Sequence, residues 1–286
     1  MFKKIKEKCK NLLILGRYNN PAGAFLLMWP CYWGVLSYAN KSNIFFDLLY
    51  FSLGAFIMRG AGCCLNDIFD KDFDSKVKRT KNRPLASGKI GLNEAIIFVI
   101  LQLILGLLIV LQFEKIVIIW SFFIIPLVFC YPLFKRITNF PQLILGLTFN
   151  WGIIVGQLSQ VETFQLEVLY LYFGGVLLTT AYDTIYGYQD INDDKRLGIK
   201  SLAILLEKRD YFVLIIFIMS FISFSIFFFQ KFSNIFLTLF GTAMVLIVFI
   251  FQYYSFKKGY SLDKIFKSNV IYGAIISLII AFNTYL

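Results

Sequence analysis

The sequence predicts an all-α integral membrane protein with nine transmembrane helices and Asp-rich cytoplasmic loops after the second and the sixth. Three observations carry that expectation. Of 286 residues, 58% are hydrophobic and 33 are Phe, whereas soluble domains carry about 45–50% apolar residues. Apolar runs of roughly spanning length, about 20 residues, fall at 21–39, 44–65, 94–112, 116–134, 141–160, 167–189, 211–229, 233–254 and 267–285. Basic residues alternate with these runs: 24 Lys and Arg precede the first run or follow even-numbered ones, and only Lys41, Lys115 and Lys231 follow odd-numbered ones. Such asymmetry assigns the basic side to the cytoplasm. It also explains the net charge of +11 by topology, with the lipid bilayer as partner and no nucleic acid.

The runs are continuous and too long for the ~10-residue alternating strands of a membrane barrel, so helices must satisfy the backbone in hydrocarbon. Before the first run, MFKKIKEKCKNLLILG has an apolar stretch of only four residues, Leu12 to Leu15. That is too short for a cleavable signal peptide, so targeting is expected to rest on the first span. The second run carries Arg59, seven residues before Asn66 and on the order of 10 Å deeper at helical rise. An intramembrane arginine is costly and marks a functional site by default, with snorkelling as the plain alternative. The fifth run carries Asn150 beside Trp151, a polar wall or a helix-packing residue. Cys9, Cys31, Cys63, Cys64 and Cys130 form no CxxC pair. Small apolar fillers are expected, rather than a disulfide framework or a zinc site.

Two segments stand apart from the apolar background. Residues 66–83 read NDIFDKDFDSKVKRTKNR, and residues 183–201 read DTIYGYQDINDDKRLGIKS. Each closes an even-numbered run and each passes from acid to base, which hints at a duplicated four-helix unit. The chain is therefore expected to be one membrane domain over 1–286: helices 1–4, helices 5–8 and helix 9. Like charges four residues apart destabilise a helix unless a cation lies between them. Magnesium suits such faces, because it takes hard oxygen ligands from one or two carboxylates plus substrate phosphates. A solvated Asp–Lys face is the bland alternative. Two such segments on one side, each trailed by cations, favour a clamp for a metal-bound diphosphate.

These residues resemble the UbiA family of membrane prenyltransferases, and most closely the branch acting on 4-hydroxybenzoate. The family's N-D-x-x-D-x-x-x-D segment matches Asn66, Asp67, Asp70 and Asp74, followed by KRTKNRPLASG at 78–88. Its D-x-x-Y-x-x-x-D-x-x-D-D segment matches Asp183, Tyr186, Asp190, Asp193 and Asp194, followed by Gly198 to Ser201. Further matches run from Arg59 to Asp67, from Tyr131 to Gln142 and from Pro21 to Pro30, so the likeness covers about 20–205. One departure stands out: where the family opens R-x-D-K-P-x-G, this chain has Arg17, Tyr18, Asn19, Asn20, Pro21, Ala22 and Gly23.

The resemblance implies a nine-helix, multi-pass enzyme of the bacterial inner (cytoplasmic) membrane, with its site facing the cytoplasm. It would transfer a polyprenyl group from polyprenyl diphosphate to the carbon ortho to the hydroxyl of 4-hydroxybenzoate, within ubiquinone biosynthesis. Mg2+ would be held by Asn66, Asp70, Asp74, Asp190 and Asp194. Diphosphate would meet Arg79, Arg83, Lys135, Arg136 and Lys200. Asp67, Asp183, Tyr186 and Arg59 are the catalytic candidates, and Arg17, Arg59 and Asn150 the acceptor-binding ones. The chain has no histidine, so the ring proton would go to Asp183, Asp67, the departing pyrophosphate or water. The nearest rival is a family member with another acceptor, dihydroxynaphthoate or haem. A cation-coupled transporter is a more distant one, since its sites would lie at the midplane and not at helix ends.

Overall fold

The computed structural model describes residues 2–40 and 44–286; Lys41 lies outside them. Helices are the only regular secondary structure among the described residues. An amphipathic helix α1 (Phe2–Leu15) precedes α2 (Ala22–Ser37), α3 (Ile44–Asp74), α4 (Leu92–Val110), α5 (Lys115–Phe123) and α6 (Ile125–Ile137). Then come α7 (Pro141–Gln160), α8 (Val168–Gly187), short α9 (Ile191–Arg196) and α10 (Leu202–Leu205), α11 (Tyr211–Lys231), α12 (Ile235–Lys257) and α13 (Leu262–Tyr285).

Among the described residues, eight helical stretches are long and apolar enough to cross a membrane, with α5 and α6 joined as one. The expected first span is different. It forms α2, a shorter apolar helix of 16 residues, about 24 Å at helical rise against a hydrocarbon core of about 30 Å. The described helices thus comprise eight of crossing length and this shorter apolar one. The second run outlasts its apolar part, because the helical hydrogen-bond ladder continues to Asp74 and gives α3 31 residues. The acidic residues expected in a loop after it are thus helical. The leading segment, expected only to lack a signal peptide, is itself a helix. Its Leu12 and Leu15 pack on Cys64, Leu85, Ile90 and Ala95, and Lys8 pairs with Glu94.

Helices α2, α7 and α8 form the centre, with α3, α11 and α13 packed around them. Small residues permit this closeness, as expected where lipid offers no hydrophobic drive between helices. A Cβ on Gly34 of α2 would lie 2.1 Å from the Ile153 carbonyl oxygen of α7, and one on Gly156 would lie 2.4 Å from that of Cys31. The outer faces of α4 and α12 expose Ile97, Leu101, Ile247 and Ile250, a surface suited to acyl chains. Cys31, Cys63 and Cys64 are buried fillers as expected, whereas Cys130, expected within a span, is exposed on its outer face.

Candidate functional site

The ladder of α3 sets the first half of the site. Spacings of three and four residues bring Asp67, Asp70 and Asp74 to one face, where they are 2%, 5% and 8% exposed; Asp72 points outward. Three buried carboxylates need cations, because an uncompensated buried charge is severely destabilising. Arg17 supplies the first, its Nη2 donating to both oxygens of Asp67 at 2.9 Å. Arg83 supplies the second, its Nη1 donating to Asp67 Oδ1 at 3.0 Å and to Asp74 Oδ2 at 2.6 Å. Arg136 Nη2 lies 3.8 Å from Asp70 Oδ1, donates to the Phe69 carbonyl at 3.1 Å and stacks over the Phe73 ring.

Arg17 reaches Asp67 through an unusual backbone. It adopts φ 61°, the left-handed conformation that closes a helix end. The Tyr18 amide donates to the Leu13 carbonyl and the Arg17 amide to that of Ile14, which terminates α1. The Arg17 side chain also donates to the carbonyls of Ile14 and Leu15 at 3.0 Å. Both terminal nitrogens of its guanidinium are thus engaged by the protein, which makes Arg17, an expected acceptor-binding residue, part of an ion pair in this structure. Asn19 and Asn20, the departure from the family pattern, sit exposed in the following turn.

The second half is looser. Asp183 sits half-buried on α8; the helix then tightens into a 3-10 turn over Tyr188–Asp190 before α9 carries Asp193 and Asp194. Asp190 is clasped by Arg79, whose Nε donates to Oδ1 at 2.9 Å and Nη2 to Oδ2 at 2.7 Å. Burial opposes the charge on Arg79, but Asp190 outweighs it and lifts its pKa above the usual arginine value. This fork joins the two segments, 111 residues apart.

Between the halves lie Arg59 and Tyr131. The Arg59 guanidinium stacks over Phe149 at 5.1 Å and fills the space that a Cβ on Gly23 would take. Its charge acts on Asp183, and Tyr131 feels Arg59, Asp70 and Asp183 together. Tyr131 is the group that residue reading passed over as a mere motif member; its one signal was its place at the head of Tyr131–Gln142.

Other expected residues are placed differently. Asn150 is 1% exposed and donates to the Gly146 carbonyl at 2.9 Å and to Thr179 Oγ1 at 2.8 Å. It stitches α7 to α8 through its amide nitrogen, as the helix-packing alternative expects. Lys200 Nζ donates to the Ile137 carbonyl at the end of α6, at 3.2 Å. Tyr186 packs its ring on Phe266, with centroids 4.5 Å apart. Lys135 belongs to α6, but its side chain lies outside the described residues.

Among the described residues, no three carboxylates converge tightly enough to enclose a metal by themselves. The donor chemistry nonetheless fits magnesium: every expected ligand is a hard oxygen, and the buried Asn66 Oδ1 accepts no hydrogen bond. A buried acceptor left open is costly and suits an ion whose remaining ligands come from substrate phosphates.

Comparison with known proteins agrees with this arrangement. A model of the UbiA prenyltransferase family matches residues 27–271. The mitochondrial 4-hydroxybenzoate polyprenyltransferase of Drosophila melanogaster is 46% identical over 194 residues, 66% of this chain and 49% of that protein. The 4-hydroxybenzoate octaprenyltransferase of Pseudoalteromonas translucida is 39% identical over 199 residues, 69% of this chain and 68% of that protein. The chain thus spans about half the length of the mitochondrial relatives it matches. Among solved structures, a UbiA homolog from Aeropyrum pernix K1 superposes with TM-score 0.77 at 22% identity, covering 91% of this chain and 97% of that one. A UbiA homolog from Archaeoglobus fulgidus, solved bound to GPP and Mg2+, gives TM-score 0.72 at 17% identity, covering 96% and 98%. Fold, family model and relatives coincide: this multi-pass helical membrane protein belongs to the UbiA prenyltransferase family.

Proposed function

We propose that the protein transfers a polyprenyl group from polyprenyl diphosphate to the ring carbon ortho to the hydroxyl of 4-hydroxybenzoate, within ubiquinone biosynthesis. The observation that carries the reading is the Arg79–Asp190 fork, which draws the acidic ends of α3 and α8 to one end of the bundle. The names of the curated relatives supply the acceptor. We place that end at the cytoplasmic face of a bacterial inner membrane, on the basic asymmetry of the loops, and read 1–286 as one domain of two related halves plus a final helix.

Magnesium would be held by Asn66, Asp70, Asp74, Asp190 and Asp194, and when bound it supplies Lewis-acid stabilisation of the departing diphosphate. The chain's own residues do the rest. Arg79 and Arg83 now hold Asp190 and Asp74; moving onto the incoming diphosphate, they would release both carboxylates and neutralise phosphate oxygens. Arg136 and Lys200, bonded to carbonyls, stand by as further phosphate donors, with Lys135 beside them in sequence. Arg59 would bind the acceptor's carboxylate. Tyr186 would line the path of the allylic cation with its ring face. Both oxygens of Asp67 are engaged by arginines, which favours Asp183 over Asp67 as the carboxylate that would receive the ring proton.

The test is prenylation by the full chain in liposomes, with radiolabelled 4-hydroxybenzoate and a polyprenyl diphosphate. Dihydroxynaphthoate serves as a rival acceptor, and magnesium is compared with EDTA. Labelled prenyl hydroxybenzoate, formed only with magnesium, is the expected result. Turnover of dihydroxynaphthoate alone would move the acceptor, and metal-independent product would remove the clamp.

A further inference from the structure

The second acidic segment leaves α8 and returns at α10, and both of its ends meet one side chain. Gln142, in the first turn of α7, is 6% exposed. Its Oε1 accepts from the buried amide of Leu202 at 2.9 Å, where α10 begins. Its Nε2 stands 3.5 Å from the position of a Cβ on Gly187, where α8 ends. That same Cβ would lie 3.2 Å from the Ala203 Cβ, so α7, α8 and α10 close on one another here. Asp190, Asp193 and Asp194 all lie between the two ends.

The first amides of a helix have no acceptor within it. At α10, Ser201 Oγ takes the Ile204 amide at 3.2 Å, and Gln142, 60 residues away, takes that of Leu202. A buried amide stripped of its acceptor is costly, so without Gln142 this end of the segment would be driven toward water. The α6–α7 corner that carries Gln142 also touches the first acidic segment. Arg136 donates to the Phe69 carbonyl and lies 3.8 Å from Asp70. Lys200 reaches back to the Ile137 carbonyl of the same corner. That contact is exposed, whereas the Gln142 contact is buried, which makes Gln142 the firmer tie.

We propose that Gln142 is a positioning residue for the prenyl diphosphate, a role that rests on the function proposed above. Acting through the Leu202 amide, it holds the second acidic segment in register with the first. Asp190 and Asp194 are thereby kept where they can meet the magnesium-bound head of the donor. Outer partners of this kind set the affinity of a metal site although they touch neither metal nor substrate.

The experiment compares the full chain with Gln142→Met, Gln142→Glu and Ser220→Ala. Methionine keeps the length of the side chain but offers only a weak acceptor. Glutamate keeps the acceptor oxygen, and its charge suits the first turn of α7. Ser220→Ala removes a buried hydrogen bond from α11 to the Gly174 carbonyl, away from the segment, and controls for lost stability alone. Trypsin cleavage after Lys195 and Arg196 is followed first, in detergent without ligand. Gln142→Met should be cut at least about tenfold faster than wild type, the scale of a stranded buried amide, with the other two close to wild type. In the liposome assay, Gln142→Met should raise the KM for polyprenyl diphosphate and the half-maximal magnesium dose at least about tenfold. The KM for 4-hydroxybenzoate should stay unchanged, and Gln142→Glu should behave as wild type. Unchanged cleavage, an unchanged donor KM in Gln142→Met, or the same rise in Ser220→Ala would overturn the positioning role. Faster cleavage of Gln142→Met beside a wild type that transfers no prenyl group would support the tie and remove the proposed function, so the two failures separate.

Discussion

The acidic ends of α3 and α8 face the same space, but they are built differently. On α3 three carboxylates lie on an unbroken helix, almost wholly buried, and Arg17 and Arg83 lock two of them from different parts of the chain. On α8 the helix breaks into a 3-10 turn, the later acids are more exposed, and one partly exposed arginine holds Asp190. The difference shows how carboxylates can be kept charged beside lipid. One cluster is prewired by two of the protein's own cations, while the other is loosely tied by a single arginine.

The largest expected effect tests whether the two halves serve one reaction. Asp70→Ala and Asp190→Ala should each lower kcat by at least about 10²-fold, the scale of losing one group that stabilises developing charge, as read by the radiolabel assay. A loss confined to Asp70→Ala would separate the halves. The next effect is on stability. Arg83→Ala strands Asp67 and Asp74 without a shared cation and should cost about 3 kcal/mol, whereas Arg79→Ala, at a partly exposed pair, should cost under about 1 kcal/mol. Denaturant or thermal unfolding in detergent would compare them, and equal costs would erase the contrast between prewired and loose. EDTA should abolish turnover yet leave the unfolding midpoint unchanged, since arginines already hold the carboxylates.

A smaller effect concerns the residue between the halves. Arg59→Ala should raise the KM for 4-hydroxybenzoate about tenfold, equivalent to 1.4 kcal/mol of binding, with little change for the prenyl diphosphate. The smallest tests the looseness of the second half directly. Gly198 follows α9 at φ 68°, and Gly198→Ala should cost about 1 kcal/mol through the left-handed backbone alone, seen as faster proteolysis of the 190–200 segment.

Hydropathy made most of the helices legible, since a run of Leu, Ile and Phe has one outcome in lipid. It could not show that α3 continues to Asp74: polarity ends at Asn66 what hydrogen bonding carries on for two more turns. It also missed α1, whose lysines hide Leu12 and Leu15, the residues that dock it. Within the site, the acids were readable from their spacing, but their partners were not. Arg17 lies 50 residues from Asp67, and no local pattern marks it as an ion-pair donor. Asn150 reads equally as a wall or a packing residue, because sequence does not say which side of α7 meets Gly175 and Thr179. Tyr131 carries no charge in its ordinary state, so beyond its motif position nothing marked it until the fold set it between the acids.

The length of α3 has a kinetic consequence. At 31 residues it measures about 46 Å and outreaches a hydrocarbon core of about 30 Å, so it is long enough to carry its carboxylates to headgroup level with its apolar part in the acyl region. A substrate with a charged head and a greasy tail matches that profile without leaving its leaflet. Encounter then becomes a search in two dimensions, and the quantity that sets the rate is the substrate's mole fraction in the membrane. Diluting proteoliposomes with buffer should leave the rate per enzyme unchanged, while diluting them with inert lipid should lower it.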